Sequence, residues 1–481
     1  VRKKFLINIA FLIGLNILIK PFWILGIDRE VQNIVGNEAY GIYYAMFNFT
    51  FLFQILLDLG ITNLNNQSIA QNHDFLKQHF SKLGGLKLGL ALLYLMVTIL
   101  LSLTMGYTEQ ATHLLYVLAI NQFLLSFVLF LRSSISGLQI FWLDSIISVL
   151  DRVLLISICS VLIWGKVVNQ EFQIEWLAYA QSAAYSFTLL MCLSIVILKA
   201  RSFFSIPDTQ FIRSTLKKSL PFAVIVFFMT MYFKADAVMI ERLITDGEYQ
   251  TGIYAQGYRF FDVLNNFVYL FTAILFPMLS KEMALGKPVE KLVTLVSRIL
   301  SLSFIGIVGL AIFLPGEIID LSYRDISTES STVLTILLIT FVPMVISSIY
   351  GTVITAGGKL KIMMLWSGIS FMLNLILNLI LIPTLGIVGA ALASFVAQLT
   401  MAFSCYFLAG KKFQTFVPMS TLVEVLLPLV VTLGILFFID QYLSAVSILG
   451  ILIISTLIVA TRFILNSFNE FKLLGKINSS K

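Results

Sequence analysis

The sequence predicts an all-α, polytopic membrane protein of about fourteen transmembrane helices, arranged as two six-helix lobes related by a pseudo-twofold along the membrane normal, plus two C-terminal helices. Three observations carry this expectation. Of 481 residues, 59% are hydrophobic and 12% charged, with a mean hydropathy of +0.95, whereas roughly a quarter of a soluble domain is charged. Apolar runs of about 20 residues recur from end to end, the length a helix needs to cross a bilayer, rather than the short alternating segments of a β-barrel. A pattern near the start of the chain also returns six runs later.

In order, the runs cover 5–26, 41–66, 84–105, 111–135, 141–164, 174–198, 219–241, 251–279, 292–315, 332–356, 361–382, 385–409, 421–440 and 446–465. No soluble domain is left over. Val1-Arg2-Lys3-Lys4 ahead of the first run resembles the start of a signal peptide, but no small-residue cleavage pattern precedes the next loop, so the run reads as an anchor. Bases gather at the N-terminus and in every second loop: Lys77 and Lys82, then Lys199 with Lys218, Lys281 with Lys291, Lys359 and Lys361, Lys411 and Lys412, Lys472 and Lys476. Acids occupy the alternate loops, among them Asp28, Glu30, Glu38, Glu109, Glu171, Asp246 and Asp325. The positive-inside rule then places the basic loops and both termini in the cytoplasm of an inner-membrane protein. The net charge of +7 is a topological signal and implies no nucleic-acid partner.

The repeat aligns Gly36, Gly41, Ile42, Tyr43 and Phe49 in the second run with Gly247, Gly252, Ile253, Tyr254 and Phe260 in the eighth, without a gap. Lys20 and Lys234 correspond with a small shift. An even offset gives both halves one orientation, hence an axis along the membrane normal. The expected domains are 1–200 (N-terminal lobe), 201–218 (basic linker, read as solvated), 219–410 (C-terminal lobe) and 411–481 (two helices and tail).

Ionisable groups inside the runs are the candidates for function, because each costs a few kcal/mol at the bilayer centre unless it is paired, solvated or bound to a ligand. At 1.5 Å per residue, Lys20 and Lys234 lie roughly 21 to 23 Å from the cytoplasmic ends, Arg152 roughly 16 Å, and Arg259 about 12 Å from the outer end. Four cations facing one cavity call for an anionic ligand. Each also has a structural alternative. Arg259 and Asp262 share a helix face and either neutralise each other or leave Arg259 to face the cavity. Asp151 and Arg152 point about 100° apart and pair poorly within the helix. Lys20, beside Pro21, either snorkels or faces the cavity. Asp236 lies about 200° from Lys234 and addresses another neighbour. Asn374 and Asn378, one turn apart, read as an interhelical hydrogen-bonding pair. Cys159, Cys192 and Cys405 are buried small hydrophobes without metal-ligand spacing, and the three histidines show no zinc spacing. No Walker loop or nucleophile elbow occurs, so no catalytic residue, cofactor or metal is expected.

Tyr40-Gly41-Ile42-Tyr43, Leu57-Asp58-Leu59-Gly60-Ile61, Leu220-Pro221-Phe222 with Asp236, Gly252-Ile253-Tyr254, Phe276-Pro277 and Gly386-Ile387-Val388-Gly389-Ala390-Ala391 together resemble the polysaccharide-transporter branch of the multidrug/oligosaccharidyl-lipid/polysaccharide (MOP) flippase superfamily. The resemblance spans the whole chain. It implies a non-enzymatic flippase that carries an undecaprenyl-pyrophosphate-linked oligosaccharide by alternating access. Lys20, Lys234, Arg259 and Arg152 would bind the pyrophosphate, and Asp236, Asp151 and Asp262 would couple an ion or support the fold. Cations in the first and eighth spans are functional in lipid II flippases, and Lys20 and Arg259 occupy comparable spans. Tyr43, Tyr232, Tyr254 and Tyr258 either stack on sugars or pack helices. The implied partners are the lipid-linked substrate, the bilayer, a polysaccharide polymerase and glycosyltransferases; a monomer meets these needs. The alternatives are a lipid II flippase, a cation-coupled drug exporter with an acidic cavity, and a glycosyltransferase scaffold with its cations fully salt-bridged.

Overall fold

The computed structural model describes residues 14–165, 170–201, 203–416, 419–439, 443–458 and 461. Among them there is no strand, and nearly everything is helix. The helices are α1 (Gly14–Leu52), α2 (Ile55–Gln71), α3 (Asp74–Met105), α4 (Glu109–Gly137), α5 (Phe141–Trp164), α6 (Ile174–Ala200), α7 (Thr209–Leu243), α8 (Gly247–Ala284), α9 (Glu290–Phe313), α10 (Pro315–Ser322), α11 (Thr328–Ala356), α12 (Leu360–Phe413), α13 (Met419–Ile439) and α14 (Ala445–Ile458). Eight described helices are long and apolar enough to cross a membrane, or nine if the bent pair α1 and α2 counts as one span.

Several expected loops are helix instead. The first and second runs join into α1, whose ladder widens to a π-helix over Trp23–Asp28, just after Pro21 removes a backbone donor. The turn between those runs comes at Gly36, where φ 81° and ψ 169° are open to glycine. Asp28, expected in an outer loop, is therefore helical and buried. α1 and α2 meet at an angle of 44°. α12, with 54 residues, would run about 80 Å if straight, more than twice the hydrocarbon core. It breaks at Gly386 (φ 60°, ψ −140°), at the start of the twelfth expected span.

The chain forms two compact units. The first holds the chain up to Arg259 together with Tyr323–Asp325 and Ser367–Ala393. In it α1 crosses α8 where Gly41 and Gly252 meet: a Cβ on Gly41 would lie 1.8 Å from the Glu248 carbonyl oxygen, and one on Gly252 2.1 Å from that of Asn37. Gln32 and Gln256 both donate to the Asn37 side chain, at 2.8 and 3.1 Å, and Asn37 and Gln256 both donate to the Asp325 carbonyl. The linker is docked at a few positions, while most of its described residues stay exposed. Phe204 packs into the apolar core of α3 and α4, a Cβ on Gly85 would meet the Ser205 carbonyl at 1.9 Å, and Lys82 pairs with Asp208 at 2.6 Å. Asp208 caps α7 by accepting from the Phe211 amide, so Arg213, Lys217 and Lys218 are helical.

The second unit holds Phe260–Ser322, Ile326–Trp366 and the chain from Ser394. Its α9 receives Leu452 of α14 against Gly309, and Leu314, Leu436, Ile448 and Leu452 bury one another. Gln398 donates to Ser347 at 2.6 Å, tying α12 to α11. All three cysteines are free and buried.

Candidate functional site

The first unit contains every candidate residue except Asp262. Arg259 does not stand alone: its Nε lies 2.6 Å from Asp28 Oδ2, and it donates to the Tyr40 hydroxyl at 2.9 Å through Nε and 2.5 Å through a terminal nitrogen. Tyr40 in turn donates to Asp28 at 2.8 Å. The guanidinium also sits 4.9 Å from the centre of the Tyr44 ring. Tyr40 has no exposed surface and Asp28 almost none, so this is a dry, charge-assisted triad. The π stretch of α1 presents Asp28 to it. Asp262, one turn beyond Arg259, accepts at its backbone carbonyl from Asn266.

Lys20 and Arg152 belong to a second cluster. Asn16 donates to Ser148 at 3.2 Å, fixing α1 beside α5. The Arg152 guanidinium lies 6.0 Å from the ring centres of Trp23 and of Tyr185. Asp151 pairs with Arg152, but loosely, at 3.7 Å, in keeping with their divergent directions on one helix. Lys20 makes no hydrogen bond or ion pair to an acid among the described residues. Gln181 donates to Tyr43 at 2.6 Å on the neighbouring face.

Lys234 lies against two aromatic faces, 5.7 Å from the centre of Phe51 and 5.5 Å from that of Tyr258, a geometry that stabilises a partly desolvated ammonium. Asp236, on the far side of α7, is buried and accepts from three neutral donors: Tyr254 at 2.9 Å, Asn378 at 2.7 Å and Asn374 at 3.3 Å. Asn378 also donates to Asn374 at 3.2 Å. The asparagine pair thus bridges helices through Asp236. The four candidate tyrosines, Tyr43, Tyr232, Tyr254 and Tyr258, are all buried.

Sequence reasoning missed three charged arrangements. Asp28 was hidden by the reading of 27–40 as a loop. Lys87, fully buried, donates to Asp58 at 2.7 Å and to Ser126 at 3.0 Å, beneath Phe130; Asp58 is further held by the Thr62 amide and hydroxyl. Arg132 pairs with Asp144 at 3.0 Å. Lys87 and Arg132 both interrupt apolar runs, the same signal that singled out Lys20. Among the described residues no group of three or more His, Cys, Asp or Glu side chains is placed to hold a metal.

The first unit therefore carries cations against aromatic walls within a helical bundle. A family model described as "Polysaccharide biosynthesis protein" matches residues 6–283, more than half of the chain, and the chain belongs to that family. No curated protein matches its sequence. In fold it is similar to the lipid II flippase MurJ in an inward closed conformation (TM-score 0.72, 15% identity, covering 97% of this chain and 99% of that one). It is also similar to an inward-facing multidrug resistance MATE family transporter of the MOP superfamily (0.61, 16%, 84% and 94%). A third is a MOP superfamily transporter from Pyrococcus furiosus whose binding pocket is described as of reverse polarity (0.56, 14%, 85% and 94%). The chain is thus a multi-pass helical membrane protein of the polysaccharide biosynthesis family, with a fold similar to that of these transporters.

Proposed function

We propose that the protein flips an undecaprenyl-pyrophosphate-linked oligosaccharide across the cytoplasmic membrane by alternating access, with both termini in the cytoplasm, for cell-surface polysaccharide assembly. The observation that carries this reading is the Lys20 and Arg152 pair: two cations on facing helices, Arg152 walled by Trp23 and Tyr185, with one loosely held acid, Asp151, paired to Arg152 among the described residues. An intramembrane excess of positive charge is costly unless an anion arrives to match it. Pyrophosphate supplies that charge, and the aromatic walls suit the adjoining sugar. Lys234, its ammonium over two rings, gives a further contact. Arg259 contributes when the anion takes the place of Asp28. Asp236, Asp151 and Asp262 serve the fold or couple an ion. A polysaccharide polymerase and glycosyltransferases are the expected neighbours in the cell, and the protein itself performs no covalent chemistry.

The test is glycan export in cells carrying Lys20→Ala, Arg152→Ala and Lys234→Ala, singly and combined, at matched protein levels. Export should fall at least about tenfold in the Lys20→Ala/Arg152→Ala double variant, the cost of losing one charge-assisted contact or more. Undiminished export in that variant sinks the proposal. Supplying lipid II in place of the oligosaccharide lipid to reconstituted protein decides between the two cargoes, which share the pyrophosphate. Efflux of cationic dyes would instead support a drug exporter.

A further inference from the structure

The face of α5 that meets α1 carries more charge than the flippase reading uses. The Asn16 to Ser148 bond sets the register of the two helices. On the positive-inside topology they run in the same direction, so four residues beyond that bond Lys20 and Arg152 stand level. Asp144 lies on the same face of α5, eight residues before Arg152, or about 12 Å nearer the cytoplasmic end. There it holds Arg132 of α4 at 3.0 Å, and the two side chains keep 22% and 16% of their surface accessible. The contact uses Nε of Arg132, leaving its terminal nitrogens for an incoming oxygen anion. Three cations, Arg132 of α4, Lys20 of α1 and Arg152 of α5, are thus gathered along α5 with two acids, Asp144 and Asp151.

We propose that Arg132, presented by Asp144, is the first contact for the pyrophosphate of a lipid-borne substrate on the cytoplasmic side, from which the group moves up α5 to Lys20 and Arg152. The proposal rests on the flippase reading. Asp144 has two effects. It orients the guanidinium, and its negative charge keeps the anion from lodging there, so that the group passes on to the pair with less acid around it. An ion pair that only packed helices would not show the second effect.

The sign of two substitutions separates these roles. Full-length protein in nanodiscs is mixed rapidly with farnesyl pyrophosphate, a soluble pyrophosphate-bearing lipid, and tryptophan fluorescence is followed; Trp23→Phe verifies that the signal arises beside Arg152. Arg132→Ala should slow association about tenfold and flatten its salt dependence, with dissociation little changed, because a charge at the mouth of a site steers encounter. Arg132→Lys should restore most of the rate. Asp144→Asn should speed association about twofold to threefold, since a competing negative charge has gone. Inorganic pyrophosphate should compete in every variant. Association rates that change in the same direction in Arg132→Ala and Asp144→Asn, or that do not change, overturn the first-contact role, as does a failure of inorganic pyrophosphate to compete. Wild-type protein with no saturable signal overturns this inference and the flippase reading together.

Discussion

Lys87 has no exposed surface, so its ammonium depends on Asp58, Ser126 and the ring of Phe130. Asp58 keeps 30% of its side chain accessible. The two halves of this ion pair are therefore unequal. Asp58→Asn leaves a sealed charge without its counter-ion and should destabilise the protein by about 3 to 5 kcal/mol, read from thermal unfolding in detergent. Lys87→Met leaves a carboxylate that still has accessible surface and the Thr62 donors, and should cost clearly less. Equal losses would show that the packing of the lysine stem, not the charge, is what matters. The same asymmetry explains which charges were legible in the sequence. Lys20, Lys234, Arg152 and Arg259 stand out because they interrupt apolar runs. Their partners do not: Asp28 lies 231 positions from Arg259, and nothing local in either stretch points to the other.

Between elements, the crossing of α1 and α8 shows what an internal repeat reveals and what it leaves out. Matched spacing identified Gly41 and Gly252 as equivalent positions, but not that each lies against the other helix's backbone. A methyl group at either position must push the helices apart. Gly41→Ala and Gly252→Ala should each lower the melting temperature, and the double variant should cost much less than the sum, because one separation relieves both clashes. Additive losses would mean the two clashes are relieved independently. The docked linker permits a test by pH. The Asp208 carboxyl is held below its ordinary value by the hydrogen bond from Lys82 and by the Phe211 amide. A depressed carboxyl stabilises the fold above its unfolded value and loses that contribution as pH falls through the folded one. Exchange at the Ser205 amide, which is bonded to the Ser81 carbonyl, should therefore stay protected from about pH 8 to about pH 5 and rise only below about pH 4, after correction for intrinsic rates. A rise already near neutrality would assign the docking to another group. Composition could not reveal this docking: a basic stretch with Pro207 looks solvated unless one knows that Gly84 and Gly85 open a seat for it on α3.

At the scale of the whole chain, hydropathy and the distribution of bases predict an even span count with the basic loops in the cytoplasm, an expectation that depends on the bilayer rather than on tertiary contacts. The helices nevertheless run past their apolar windows: α3 begins at Asp74 and α7 at Thr209, so many bases that mark the cytoplasmic side stand on helical turns and not in loops. The strictest test of the even span count lies in the second unit. Between Lys287 and Thr328, both exposed, come only α9 and α10. α9, at 24 residues, reaches about 36 Å and spans the hydrocarbon core, whereas α10, at eight residues, covers about 12 Å and cannot. The positive-inside expectation then puts the two positions on opposite sides, with Lys287 inside. In a chain whose Cys159, Cys192 and Cys405 are replaced by serine or alanine, a cysteine at position 328 should react with a membrane-impermeant maleimide from outside intact cells. A cysteine at position 287 should react only after the membrane is opened. Labelling of both from the same side would remove one crossing and invert every later loop.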